Sequence, residues 1–137
     1  MLRLMSAERI ARCACGEVQV ACRGEPARVS VCHCLDCQRR TGSAFSYNAT
    51  FRADQVRTAG KVNSYTRLGD EGRWGRHSFC PNCGGTVFYE IEVRPGMVSV
   101  PAGNFADPGF PPPTVSVYGE RSHRWVRLDT DPPIKQE

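Results

Sequence analysis

Seven of the eight cysteines in this 137-residue chain are clustered: Cys13 with Cys15, then Cys32, Cys34 and Cys37, then Cys80 with Cys83. Cysteines one or two residues apart can turn their sulfurs toward one point, and thiolate sulfur suits a soft or borderline cation such as zinc. Cys80-Pro81-Asn82-Cys83-Gly84-Gly85 reads as a zinc knuckle. Two residues separate the sulfurs, Pro81 presets φ for the turn, and glycine after the second cysteine permits the positive φ that brings backbone N–H groups to sulfur. Cys13-Ala14-Cys15-Gly16 is a tighter form of the same device. Each pair supplies two ligands and needs a second pair from elsewhere to complete a tetrahedral site. Cys32-His33-Cys34-Leu35-Asp36-Cys37 offers three sulfurs in one short segment.

Seven thiols divide naturally as four plus three. A closed four-cysteine site is structural, whereas three protein ligands leave a position open for water or a substrate atom. Spacing alone leaves the partition open, because Cys34 and Cys37 with Cys80 and Cys83 would make a zinc ribbon and strand Cys13, Cys15 and Cys32. An iron–sulfur cluster would have to recruit Cys22 as well. Disulfides fit less well. Cysteine at about 6% falls short of the roughly 8–10% of a disulfide scaffold, and the opening Met1 to Arg12, cut by Arg3, Glu8 and Arg9, has no apolar signal core. No stretch approaches the roughly 18 apolar residues of a membrane span. These features point to a cytoplasmic protein whose thiols stay reduced. The 18 basic and 14 acidic side chains give a net charge of +4, dispersed along the chain, so no basic run argues for nucleic acid and nothing argues for a membrane.

The elements that must position these cysteines are mostly strands. The length suits one domain. Period-2 alternation recurs at Val18, Val20 and Cys22; Val29 and Val31; Phe45, Tyr47, Ala49 and Phe51; Val87, Tyr89 and Ile91; Val98 and Val100; Val115 and Val117. Turns are signalled at Gly24 to Pro26, Gly60, Gly69 to Gly75, Pro95-Gly96 and Pro108 to Pro113. The one helical candidate is the turn from Leu35 to Arg40, with Asp36 near its start, and residues 131–137 read as a loose polar tail. Cys22 shares a side with Val18 and Val20, the pattern of a small buried hydrophobe.

Three ordered motifs carry a resemblance. Cys13-Ala14-Cys15-Gly16, then Cys32-His33-Cys34-Leu35-Asp36-Cys37-Gln38-Arg39-Arg40-Thr41-Gly42-Ser43-Ala44-Phe45, then Phe79-Cys80-Pro81-Asn82-Cys83-Gly84-Gly85 resemble the glutathione-dependent formaldehyde-activating enzyme and centromere protein V family. The likeness runs over a core of about residues 11–127, with Gly103-Asn104-Phe105-Ala106-Asp107-Pro108 and Trp125 at the places of a late turn and a late aromatic. Asn104 and Ala106 depart from the pattern. The resemblance implies a mainly β, β-tent-like fold of antiparallel sheets with zinc knuckles and one short helix, forming a single zinc-binding domain over residues 1–137. It implies two zinc sites: a structural one at Cys13, Cys15, Cys80 and Cys83, and a second, open one at Cys32, Cys34 and Cys37. It also implies a carbon–sulfur lyase that condenses glutathione with formaldehyde to S-hydroxymethylglutathione.

The chemistry of such a site can be stated from first principles. A thiol entering the open position loses its proton at neutral pH, against a free value near about 8.5. Held beside a small carbonyl, it gains proximity, and an N–H or cationic group can stabilise the developing alkoxide. Arg39 and Arg40, leaving the three-cysteine motif, are candidates to meet a carboxylate of a peptide-like thiol such as glutathione; the alternative is a solvated helix face. Alternation turns His33 away from the metal, toward a structural hydrogen bond. His77 and His123 belong to no constellation. A second class of reading is a non-catalytic zinc-binding module for a protein or nucleic-acid partner, which a fourth protein ligand at the three-cysteine site and a concentrated basic face would favour. Methionine sulfoxide reduction would need an exposed free cysteine, and only Cys22 is spare.

Overall fold

The alternating runs pair into two sheets. In the computed structural model, which describes residues 7–69 and 71–137, the strands are β1 (Glu8–Arg12), β2 (Gln19–Arg23), β3 (Arg28–Cys32), β4 (Ser46–Arg52), β5 (Val56–Ala59), β6 (Asn63–Leu68), β7 (Trp74–Phe79), β8 (Thr86–Ile91), β9 (Met97–Pro101), β10 (Val115–Val117) and β11 (Lys135–Gln136). One α-helix, α1 (Leu35–Thr41), joins β3 to β4. The smaller sheet has the order β1-β2-β5 and the larger the order β11-β10-β3-β4-β9-β8-β7-β6. Pairing is antiparallel except at β10, which runs parallel to both β3 and β11. A mainly β fold with one short helix is what the sequence pattern predicts. No helix among the described residues is long and apolar enough to cross a membrane.

The core lies between the sheets. Val29, Ala49, Phe51 and Val100 of the larger sheet pack with Ala11, Val20 and Cys22 of the smaller one, alongside Val18, Val87 and Phe110. The alternate positions of the same strands carry a different chemistry. Ser30, Asn48, Thr50 and Ser99 are all under a tenth exposed, and strand register places them on one face: Ser30 opposite Asn48, Thr50 opposite Ser99, Ser99 opposite Tyr89, and Tyr89 opposite His77. Their hydroxyls and amides satisfy one another, with Asn48 Nδ2 donating to Ser46 Oγ at 3.0 Å and the Thr50 and Ser99 hydroxyls 2.8 Å apart. This buried polar row matters for function, because Cys32 pairs with Ser46 at its end.

Five strands, β1, β5, β6, β7 and β11, have no counterpart among the alternating runs. β6 is exposed at five of its six positions and β5 at three of four, so pairing and not burial defines them. Gly75 lies inside β7, not in the turn, which is closed instead by the Gly69 and Arg73 backbones. The C-terminal segment is also more than a loose tail: Lys135 N–H donates to Thr114, Glu137 N–H donates to Ser116, and the Glu137 carboxylate meets Arg28 at 2.7 Å. A two-residue parallel strand leaves no periodic signature to read. Residues 1–6, half of the opening segment read as lacking a signal core, lie outside the described residues.

Candidate metal centres

Two cysteine groups converge. The Sγ atoms of Cys13, Cys15, Cys80 and Cys83 lie within 4.8 Å of one another, and so do those of Cys32, Cys34 and Cys37. All eight cysteines are free thiols. The ribbon-like alternative, which pairs Cys34 and Cys37 with Cys80 and Cys83, does not match this grouping.

The four-cysteine group joins the sheets. Cys13 and Cys15 follow β1 of the smaller sheet, and Cys80 and Cys83 follow β7 of the larger one. Sulfur separations of 3.7 Å for Cys13–Cys15 and Cys15–Cys80 suit a tetrahedral thiolate site, whose metal–sulfur bonds of about 2.3 Å put the sulfurs about 3.8 Å apart. Both turns aim N–H groups at sulfur: Val18 N–H reaches Cys13 Sγ at 3.3 Å and Asn82 N–H reaches Cys80 Sγ at 3.4 Å. Gly84, at φ 79°, closes the second turn through its N–H to the Cys80 carbonyl. Backbone N–H groups of Gly85 and Cys15 pull the Cys83 thiol down to about 6. These donors favour thiolate, the form that binds metal.

The three-cysteine group is local. Cys32 ends β3, Cys34 is the N-cap of α1, and Cys37 lies in the first turn. Cys34 caps the helix with sulfur in place of the usual oxygen, accepting from Cys37 N–H at 3.2 Å. At the other end Gly42, at φ 68°, stops the helix and donates to the Gln38 carbonyl at 2.8 Å. The Cys32 and Cys34 thiols donate to Cys37, and Ser46 and Arg40 add to the effect, so Cys37 is held far below an ordinary thiol while Cys32 is pushed up. Among the described residues no fourth cysteine, histidine, aspartate or glutamate joins this group. Its donor set is that of a metal site with one position left to another ligand.

The surroundings separate the residues named from sequence. Arg40 lays its guanidinium over the Tyr89 ring, 5.3 Å from the centroid. Arg39 is exposed, 3.5 Å from Asp36, and lines a cleft of about 430 Å³ with Leu35, His123 and Trp125. His33 is buried against Phe45, and its Nδ1 has no hydrogen-bond partner among the described residues. Cys22, the one cysteine outside both groups, is fully buried and burial pushes its thiol up to about 12, the opposite of an exposed reactive thiol.

Three residues near the open group carry no signal in the sequence. His77 stacks on Tyr89 with centroids 5.0 Å apart. Burial, with help from Arg40 and Arg67, lowers His77 to about 4. Tyr89 is pushed up to about 12 by burial and by the Cys37 charge, so its hydroxyl keeps its proton. Arg67 reaches Asp36 at 2.7 Å. Tyr89 reads from sequence as an ordinary strand position, and Arg67 lies in a strand that the pattern does not reveal.

Comparison with known proteins agrees with these features. A solved structure of a Rhodobacter sphaeroides protein superposes with a TM-score of 0.56 at 24% identity, covering 75% of this chain and 91% of that one; at that identity the likeness concerns the fold. No curated protein matches the sequence. The sequence model of the glutathione-dependent formaldehyde-activating enzyme family matches residues 8–121, from β1 past both cysteine groups to the turn after β10. The chain belongs to the glutathione-dependent formaldehyde-activating enzyme family.

Proposed function

We propose that the protein is a zinc-dependent carbon–sulfur lyase that joins a small thiol, glutathione by family, to formaldehyde. One observation carries this reading: three cysteine sulfurs converge with no fourth protein ligand among the described residues, at the end of a buried polar sheet face and beside Arg40, which stacks on Tyr89. Zinc bound there would supply the positive charge that holds a substrate thiol as its thiolate.

The chain's own residues supply the rest. The Cys34 cap and the short α1 fix the three sulfurs with no help from remote segments. The thiolate sulfur forms a bond to the formaldehyde carbon, the carbonyl π pair moves to oxygen, and that oxygen takes a proton to give the hydroxymethyl thioether. Arg40, which rests on the Tyr89 ring beside the Cys37 charge, is the cation available to a carboxylate of the thiol. On this reading the four-cysteine group holds a structural zinc, and residues 1–137 fold as one domain around it.

The test is direct. Zinc-loaded protein, ¹³C-labelled formaldehyde and glutathione are followed by NMR. Adduct formation above the spontaneous rate, lost when Cys34→Ser removes a ligand, supports the reading. A rate equal to the spontaneous one overturns it in favour of a binding module.

A further inference from the structure

β6 is the outermost strand of the larger sheet, and no described strand pairs beyond it. Its backbone groups can be sorted by side. Gly69 N–H donates to the Arg73 carbonyl at 2.8 Å across the hairpin, and the Trp74 carbonyl accepts from Glu92 N–H, away from β6. Bonded and non-bonded pairs alternate along an antiparallel ladder. Arg67, Tyr65 and Asn63 therefore bond β7, while the N–H and C=O groups of Ser64, Thr66 and Leu68 point outward.

The other three edges of the two sheets are blunted. β11 has two residues and β5 has four, and β1 carries Glu8, Arg9 and Arg12. Short or charged edge strands resist pairing with another chain. β6 has six residues and neither proline nor lysine, and its one charge, Arg67, is held against Asp36 of α1 at 2.7 Å. Tyr65 and Leu68 are 63% and 64% exposed. An open edge of this kind takes another strand.

The strand complements itself. When Thr66 pairs with Thr66 of a second copy about a two-fold axis, Ser64 pairs with Leu68, and every outward backbone group of β6 is bonded. The same register sets Tyr65 opposite the partner's Arg67, at the cross-strand spacing of about 4.5–5.5 Å where a guanidinium can lie on a ring. A register that sets Arg67 opposite Arg67 would oppose like charges. We propose that β6 pairs with β6 of a second copy in the Thr66-centred register, joining the two larger sheets into one. The two-fold axis of an antiparallel strand pair is perpendicular to the sheet. Both three-cysteine groups then lie on the same face of the joined sheet, because Cys32 shares its face with Ser30 and Asn48 in each copy.

Sedimentation velocity on zinc-loaded protein, from about 1 µM to about 500 µM, compares the parent with Thr66→Pro, Tyr65→Glu and Tyr65→Lys. One strand pair is a small interface, so the parent should dimerise with a dissociation constant roughly in the micromolar range. Thr66→Pro deletes an outward donor and leaves the ladder to β7 bonded, so the constant should rise at least about tenfold. In Tyr65→Glu a carboxylate faces the partner's Arg67 and should tighten the dimer, whereas the like charge of Tyr65→Lys should weaken it. Thermal midpoints measured alongside show whether each variant is folded, and the Tyr65 pair decides the matter if Thr66→Pro is not. A dimer that ignores these variants uses another surface and overturns the inference, as do Tyr65 variants that shift the constant the same way. A parent that stays monomeric throughout also overturns it and leaves the edge to a strand of another protein.

Discussion

Cys15 and Cys80, 65 residues apart in the chain, bring their sulfurs to 3.7 Å. One comes from the turn after β1 in the smaller sheet and the other from the turn after β7 in the larger one. The contact therefore closes the open end of the fold. Gly85 sits between the two turns, with its Cβ position 3.6 Å from Cys83 Sγ and 3.8 Å from the Ala14 nitrogen.

Breaking this junction should cost the fold. Cys80→Ser is expected to lose one equivalent of zinc and to lower the thermal midpoint by roughly 10 °C or more, because a site built from remote segments couples metal binding to folding. Metal analysis with calorimetric unfolding checks it. An unchanged zinc content and midpoint would mean that the four sulfurs meet without holding metal.

Chelation should proceed in two steps. The three-cysteine group has one fewer ligand and sits on one short segment, so its metal should leave first with the near-ultraviolet circular dichroism intact. The second metal should leave with unfolding. Native mass spectrometry during a chelator titration separates the steps, and simultaneous loss would contradict the division of labour.

The pattern of cysteines was legible in sequence because metal-ligand spacing is local. Cys80 and Cys83 sit in a turn whose proline and glycines signal it directly, and Cys34 and Cys37 stand two residues apart at the start of the one helical candidate. Strands with an apolar face, such as β4 with Tyr47, Ala49 and Phe51, were equally plain. Arg67 and His77 were not, since β6 is mostly polar and almost wholly exposed and β7 carries apolar residues only at its two ends, so neither strand shows a period. Tyr89 fitted the alternation but not its usual meaning. In this protein the second face of the sheet is buried and polar, and alternation cannot distinguish that from a solvated face.

His77 should leave a pH signature. Its folded value of about 4 lies below the ordinary 6.5, so the unfolded chain binds the extra proton between them. Stability is full above about 6.5 and declines as pH falls toward about 4. His77→Gln removes this loss. The midpoint of the variant relative to the parent should rise by a few degrees between pH 7.5 and pH 5, and a constant difference would show that His77 titrates normally.

Tyr89 supports Arg40 through its ring. Tyr89→Phe should keep glutathione KM within about twofold, while Tyr89→Leu, which removes the ring face, should raise it several-fold. Steady-state kinetics on both variants decides the matter. If Tyr89→Phe instead lowers kcat strongly and leaves KM alone, the hydroxyl acts on the reacting oxygen and the ring is secondary.

The most direct test sets Cys34→Ser beside Cys80→Ser, with glutathione binding by calorimetry as the measurement. The three-cysteine group as the thiol-binding centre predicts that Cys34→Ser stays folded, keeps one zinc and shows no glutathione binding. Glutathione binding by Cys34→Ser at the parent affinity, or unfolding of Cys34→Ser while Cys80→Ser stays intact, would contradict it and make that group a structural one.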